Sequence, residues 1–136
     1  MSNDQFTEAA ARAAADRHHS AINLNDIDAY LETVHYPFTY QNYTGLSMTV
    51  RAPEEYRLKF KMPWEIIRTT EPHWIRTDLI ELHEVAKSNS SAVFKYVGER
   101  INSDGHAALR FQAIWISVFK SGSWRIQFRH NLGALT

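Results

Sequence analysis

Cysteine is absent from the sequence, which excludes disulfides, a thiolate nucleophile, an iron-sulfur cluster and cysteine-ligated zinc, so stability has to come from packing. Charge of one sign is missing as well. Fifteen basic residues balance fifteen acidic ones, leaving no global field to attract nucleic acid or anionic lipid. No apolar run approaches the roughly 18 residues of a membrane span, and the opening Ser-Asn-Asp-Gln-Phe-Thr-Glu has no basic region ahead of an apolar one, so no signal peptide is read. A cytoplasmic location is expected, with neither nucleic acid nor membrane as partner. Glycine is scarce: five residues, each in or near a turn or strand, leave none to build a phosphate-cradling loop. No Gly-x-Ser-x-Gly run supplies a serine nucleophile, and no cofactor is expected.

What is present is an ordinary globular composition, 44% apolar and 22% charged and somewhat rich in aromatics, on a chain of 136 residues. A chain of this length forms one domain that buries roughly two thirds of its unfolded surface. The expected domain is residues 1–136, because no repeat, low-complexity tract or linker interrupts it.

Ser2 and Gln5 are spaced as a capping box, and Phe6, Ala9, Ala10, Ala13, Ala14, Arg17 and Ala21 follow at helical spacing, predicting a first helix over about 3 to 22. Asn25 is the expected N-cap of a second helix, with Asp26 and Asp28 in its first turn and Ile27, Tyr30, Leu31 and Val34 as its buried stripe. Pro37 should end that helix, since the residue before a proline is pushed out of the α region. Phe38, Tyr40 and Asn42 then alternate with Thr39, Gln41 and Tyr43 as a strand, Gly45 turns the chain, and Ser47 to Val50 return. Pro53, followed by Glu54 and Glu55, opens a third helix that is interrupted near Pro63, with Trp64 to Arg68 as a second short piece.

After Pro72 the chain is β in character, with strands at about 73–86, 92–101, 106–120 and 123–132 separated by turn-rich breaks. Helices first and long strands afterwards argue for an α+β domain with the helices packed on one face of a strongly curved sheet. With Ser121 and Gly122 as a two-residue loop, Phe119 faces Trp124, Ser117 faces Ile126, Trp115 faces Phe128 and Ala113 faces His130. The opposite face then carries Ile114, Ile116 and Val118 beside Arg125, Gln127 and Arg129. Two partly apolar faces suggest that one lines the core and the other meets a partner subunit.

The order of elements resembles the nuclear-transport-factor-two-like superfamily, the cone-shaped fold of ketosteroid isomerases, polyketide cyclases and many uncharacterised bacterial proteins. The matching pieces are Asn25-Asp26-Ile27-Asp28 with the His35-Tyr36-Pro37-Phe38 strand entry, the Ser103-Asp104-Gly105 turn, and Gly122-Ser123-Trp124-Arg125-Ile126. The resemblance implies three helices on the concave face of a curved, mixed but largely antiparallel sheet, enclosing a pocket at the wide mouth of the cone. In the isomerase branch it also implies a helix tyrosine, an acidic base and a neutral aspartic acid. Those positions fall at or near His18, Gln41 or Asn42, and Trp115. None matches, because an amide cannot take a proton at neutral pH and an indole donates a single N–H bond.

His18 is the best candidate for acid/base chemistry, since this family often directs a polar group from the first helix into the cavity; the structural alternative is a partly exposed helix histidine. His130 is either a second pocket group or a core-edge histidine. Tyr40 and Asn42 have the character of pocket lining, although Tyr40 could equally pack in the core, and Trp64 either covers the mouth or belongs to the core. Trp115 and Phe128 complete the expected lining. The seven histidines, His18, His19, His35, His73, His83, His106 and His130, show no metal-binding spacing, so no metal is expected. The expected function is the binding of a small, mostly apolar molecule, extending to an isomerase, hydratase or cyclase reaction. The alternative is a non-catalytic interaction or accessory module, and in both cases a homodimer is expected.

Overall fold

The computed structural model describes residues 3–135, with side chains from Ala9 onward; the Ser2 and Gln5 capping box and Phe6 lie outside the described residues. The first helix, α1 (Asn3–Leu24), turns Ala11, Ala14, Ala15, His18, Ala21 and Ile22 inward. This stripe is rotated from the expected one, and Arg17 and Ala9 face solvent. An alanine-rich helix offers several equivalent faces, and the face carrying Ile22 buries the most apolar surface.

Asn25 closes α1 instead of opening the next helix. It adopts the left-handed conformation (φ 55°), and its N–H and side-chain amide both donate to the Ile22 carbonyl. The N-cap role passes to Asp26, whose carboxylate accepts from the Ala29 N–H at the start of α2 (Ile27–Leu31). The helix stops at Leu31, not at Pro37, and strand β1 (Val34–Asn42) is under way by Val34. The cause is tertiary. The Ile126 N–H donates to the Thr33 carbonyl and Val34 pairs with Ile126, so the last strand captures the chain before the proline is reached.

Strand β2 (Ser47–Val50) returns beside β1, and Pro53 opens α3 (Pro53–Lys59). Pro63 starts a separate short helix, α4 (Pro63–Thr70). The long strands β3 (Trp74–Lys87), β4 (Ser91–Asn102), β5 (Ala107–Lys120) and β6 (Ser123–Ala134) complete a mixed six-stranded sheet of order β2-β1-β6-β5-β4-β3. Only the β1/β6 pair is parallel. The sheet curves without closing into a barrel, and the helices pack on its concave face. Among the described residues, no helix is long and apolar enough to cross a membrane.

The last hairpin has its two-residue turn, with positive φ at both Ser121 and Gly122, and the pairs Phe119/Trp124 and Ser117/Ile126 form as read from the sequence. Beyond them the expected register is corrected. A bulge places one extra residue, Gln127, in β6, so Trp115 faces Arg129, Ile116 faces Phe128 and Ile114 faces His130. One inserted residue exchanges the two faces of everything that follows. Phe128 and His130 therefore leave the concave side, and Arg129 enters it.

Candidate functional site

A cavity opens between α1, α4 and the concave sheet face, with an empty volume of about 540 Å³ including its mouth. Its walls are mainly apolar: Tyr40, Tyr96, Phe111 and Trp115 from the sheet, and Ile66 and Ile67 from α4. Tyr96 stacks on Trp115 with centroids 4.2 Å apart and planes 10° from parallel. That packing depends on Gly98, where an added Cβ would lie 2.7 Å from the Tyr96 ring, 2.8 Å from Thr77 and 2.9 Å from Phe111. The polar groups on the lining are few: His19 and Asn23 from α1, Thr77, Asn131, and two arginines, Arg100 and Arg129.

Arg129 is the unusual member. It is 5% exposed, and its guanidinium lies 5.1, 5.4 and 5.8 Å from the rings of Tyr40, Phe38 and Tyr30. Its Nη1 donates to His18 Nε2 at 3.2 Å, Nε has no hydrogen-bond partner, and no carboxylate among the described residues pairs with it. Burial opposes the charge, but the surrounding tyrosines Tyr30, Tyr56, Tyr40 and Tyr96 more than offset this and hold the pKa above the ordinary arginine value. Arg100 is different, because its Nη1 donates to Glu71 Oε2 at 2.6 Å and its charge is matched.

The structure seals His18 in the core, at 0% exposure, behind the cavity wall. The Thr33 hydroxyl donates to the Tyr30 carbonyl (2.6 Å), so its oxygen accepts from His18 Nδ1–H (2.8 Å), and Nε2 is left to accept from Arg129. The network thus assigns a neutral ring protonated at Nδ1. Burial, and then the neighbouring Arg129 charge, push its pKa well below the usual histidine value, in agreement with that tautomer. His19, one residue on, reaches the cavity. Its Nδ1 lies 2.7 Å from the Tyr96 hydroxyl, and burial also lowers its pKa, with Asp16 and Asp78 acting in opposition.

The structure brings Tyr40 and Trp115 together on the cavity lining. Asn42 lies beyond the rim and uses its side-chain oxygen to accept from Thr44 and Leu46 in the β1–β2 turn. Trp64 is buried edge-on against Tyr30, 5.9 Å between centroids. Phe128 and His130 sit on the outer face, where His130 Nδ1 meets Gln41 Oε1 at 3.0 Å. The functional groups that sequence reasoning missed are His19, Tyr96, Arg100 and Arg129. An arginine among aromatics on the last strand was visible, but the bulge that turns it inward was not. Among the described residues, no three metal-binding side chains converge.

The site is therefore an open α+β cone whose aromatic interior holds one unmatched cation. No family model matches the chain, and neither does any curated protein. Solved structures do. A nuclear-transport-factor-two-like protein of unknown function from Pseudomonas putida superposes with TM-score 0.69 at 14% identity, covering 100% of this chain and 91% of that one. A ketosteroid isomerase-like protein from Erwinia carotovora gives TM-score 0.63 at 17% identity over 94% of this chain and 96% of that one. A proposed calcium/calmodulin-dependent protein kinase type II association domain from Thiobacillus denitrificans gives TM-score 0.70 at 12% identity over 91% of this chain and 94% of that one. The fold is thus the nuclear-transport-factor-two-like, cystatin-like architecture, one capable of ligand binding.

Proposed function

We propose that this protein binds a small, mostly apolar molecule in the cavity between α1, α4 and the sheet. The observation that carries the reading is an aromatic-walled space with a handful of polar tips converging on it, a composition that favours burial of an apolar body with one or two oriented polar groups. A reaction is the finer form of this reading. No carboxylate lines the cavity, so an isomerase, hydratase or cyclase step would rest on His19 and the Tyr96 hydroxyl, with His18 as a positioning residue behind Arg129. Because Trp115 lines the cavity, a ring-sized apolar probe such as 2-naphthamide should quench tryptophan fluorescence saturably. The plugged variant Ala113→Phe should lose most of that response. Quenching that never saturates, or that Ala113→Phe leaves unchanged, would overturn the proposal.

A second reading is supported by the convex sheet face, where Ile114, Ile116 and Phe128 are incompletely buried and Ile80, Phe119 and Leu132 are exposed. We propose a homodimer through this face, and an association-domain neighbour of the same fold is in keeping with it. Sedimentation at micromolar concentration should give twice the chain mass, and Phe128→Glu should reduce it to one. A wild-type monomer would end this reading.

A further inference from the structure

The formal charges on the cavity lining are those of Arg100 and Arg129, and Glu71 neutralises the first. One positive charge remains, in an aromatic enclosure, on a side chain 5% exposed. A buried ion without a counter-charge is costly, of the order of several kcal/mol, and persists where something else in the functional state compensates it. The tyrosines do not ionise to do so. Burial raises the pKa values of Tyr30, Tyr56 and Tyr96, so these hydroxyls stay neutral. The neutral His18 cannot do so either; its acceptance of the Nη1 hydrogen bond fixes the guanidinium plane without cancelling its charge.

We infer that the ligand is an amphipathic monocarboxylate whose carboxylate meets the Arg129 guanidinium while its apolar body lies among Tyr40, Phe111, Trp115 and Ile66. This rests on the small-molecule reading above and names the chemical class of its ligand. The planar fork of an arginine matches the two oxygens of a carboxylate, and Nε, unpartnered in the protein, is one of the donors such a fork offers. One net positive charge calls for one negative charge. A phosphate monoester would bring a second negative charge into an apolar space with nothing to balance it. The Tyr96 hydroxyl and the Asn131 amide on the same lining are further polar groups within the enclosure.

The test compares benzoate and 2-naphthoate with benzamide and 2-naphthamide, which keep the shape and remove the charge, using calorimetry on the full chain. Each carboxylate should bind about 30-fold more tightly than its amide, the scale of one charge-assisted hydrogen-bonded contact. Arg129→Met should bring the acids down to the affinity of the amides while leaving the amides within about threefold of wild type. In wild-type protein, the arginine Nε–H nuclear magnetic resonance signal that is lost in Arg129→Met should move downfield with 2-naphthoate and stay in place with 2-naphthamide. If that variant does not fold, Arg129→Gln supplies the assignment. Equal affinities for acid and amide, or phenyl phosphate binding more tightly than benzoate, would overturn the monocarboxylate assignment and leave the cavity reading standing. Binding of neither acid nor amide would overturn both.

Discussion

Trp74→Ala is expected to lower the unfolding free energy by about 3–5 kcal/mol, the cost of emptying a large, closed core site. For a chain of this size that is a shift of roughly 10–20 °C in melting temperature and a large fraction of a typical total stability. Trp74 is 1% exposed, its indole N–H donates to Thr77 Oγ1 at 3.0 Å, and the Arg68 guanidinium lies 5.1 Å from its ring. The loss should reach the cavity, because Thr77 is tied to α1 twice: Asn23 Oδ1 accepts from the Thr77 N–H at 2.8 Å and Asn23 Nδ2 donates to the Thr77 carbonyl at 2.9 Å. Asn23 and Thr77 both line the cavity, so a loosened β3 should also weaken probe binding. Trp74→Phe keeps most of the volume and should cost less than half as much. Denaturant unfolding decides; a cost below about 1 kcal/mol for the alanine variant would mean that this corner of the core is not closed.

The parts of the fold legible in the sequence are those governed by local chemistry. Pro53 at the start of α3, the Ser121-Gly122 turn and the Phe38/Tyr40 alternation each follow from backbone restrictions or side-chain period, and each is present. The features that escaped depend on residues far apart in sequence. An alanine face does not say whether Arg17 or His18 points inward; the sheet beneath decides. Asn25 reads equally well as an N-cap or as a left-handed terminator, and the choice follows from the angle between α1 and α2. The Gln127 bulge carried no warning, since Trp124, Ile126 and Phe128 continue an unbroken apolar alternation across it. That single insertion decides the site. It sends Phe128 and His130 outward and brings Arg129 into contact with Trp115 and His18. An unbulged strand would give the cavity an apolar floor and no cation.

The other large effect is expected from Glu71→Gln. Glu71 closes α4, and its Oε2 accepts from both Arg100 Nη1 and the Thr70 hydroxyl, each at 2.6 Å. The side chains of the pair are 16% and 9% exposed, so water compensates poorly when one partner is removed. Arg100 Nε has no partner of its own, and the guanidinium sits 4.6 Å from the Phe111 ring. Leaving that cation without its carboxylate should cost about 3 kcal/mol, whereas the double variant Glu71→Leu with Arg100→Met should return to within about 1 kcal/mol of wild type. The contrast separates the penalty of a stranded charge from the smaller net worth of the pair. It also bears on the ligand. In Glu71→Gln the cavity carries two unmatched guanidinium groups, so a dianion such as phthalate, poorly bound by wild type, should bind the variant more tightly and recover part of the lost stability. If Glu71→Gln costs less than about 0.5 kcal/mol and binds phthalate no better than wild type does, the pair is solvated and the cavity's charge is not set by Arg129 alone.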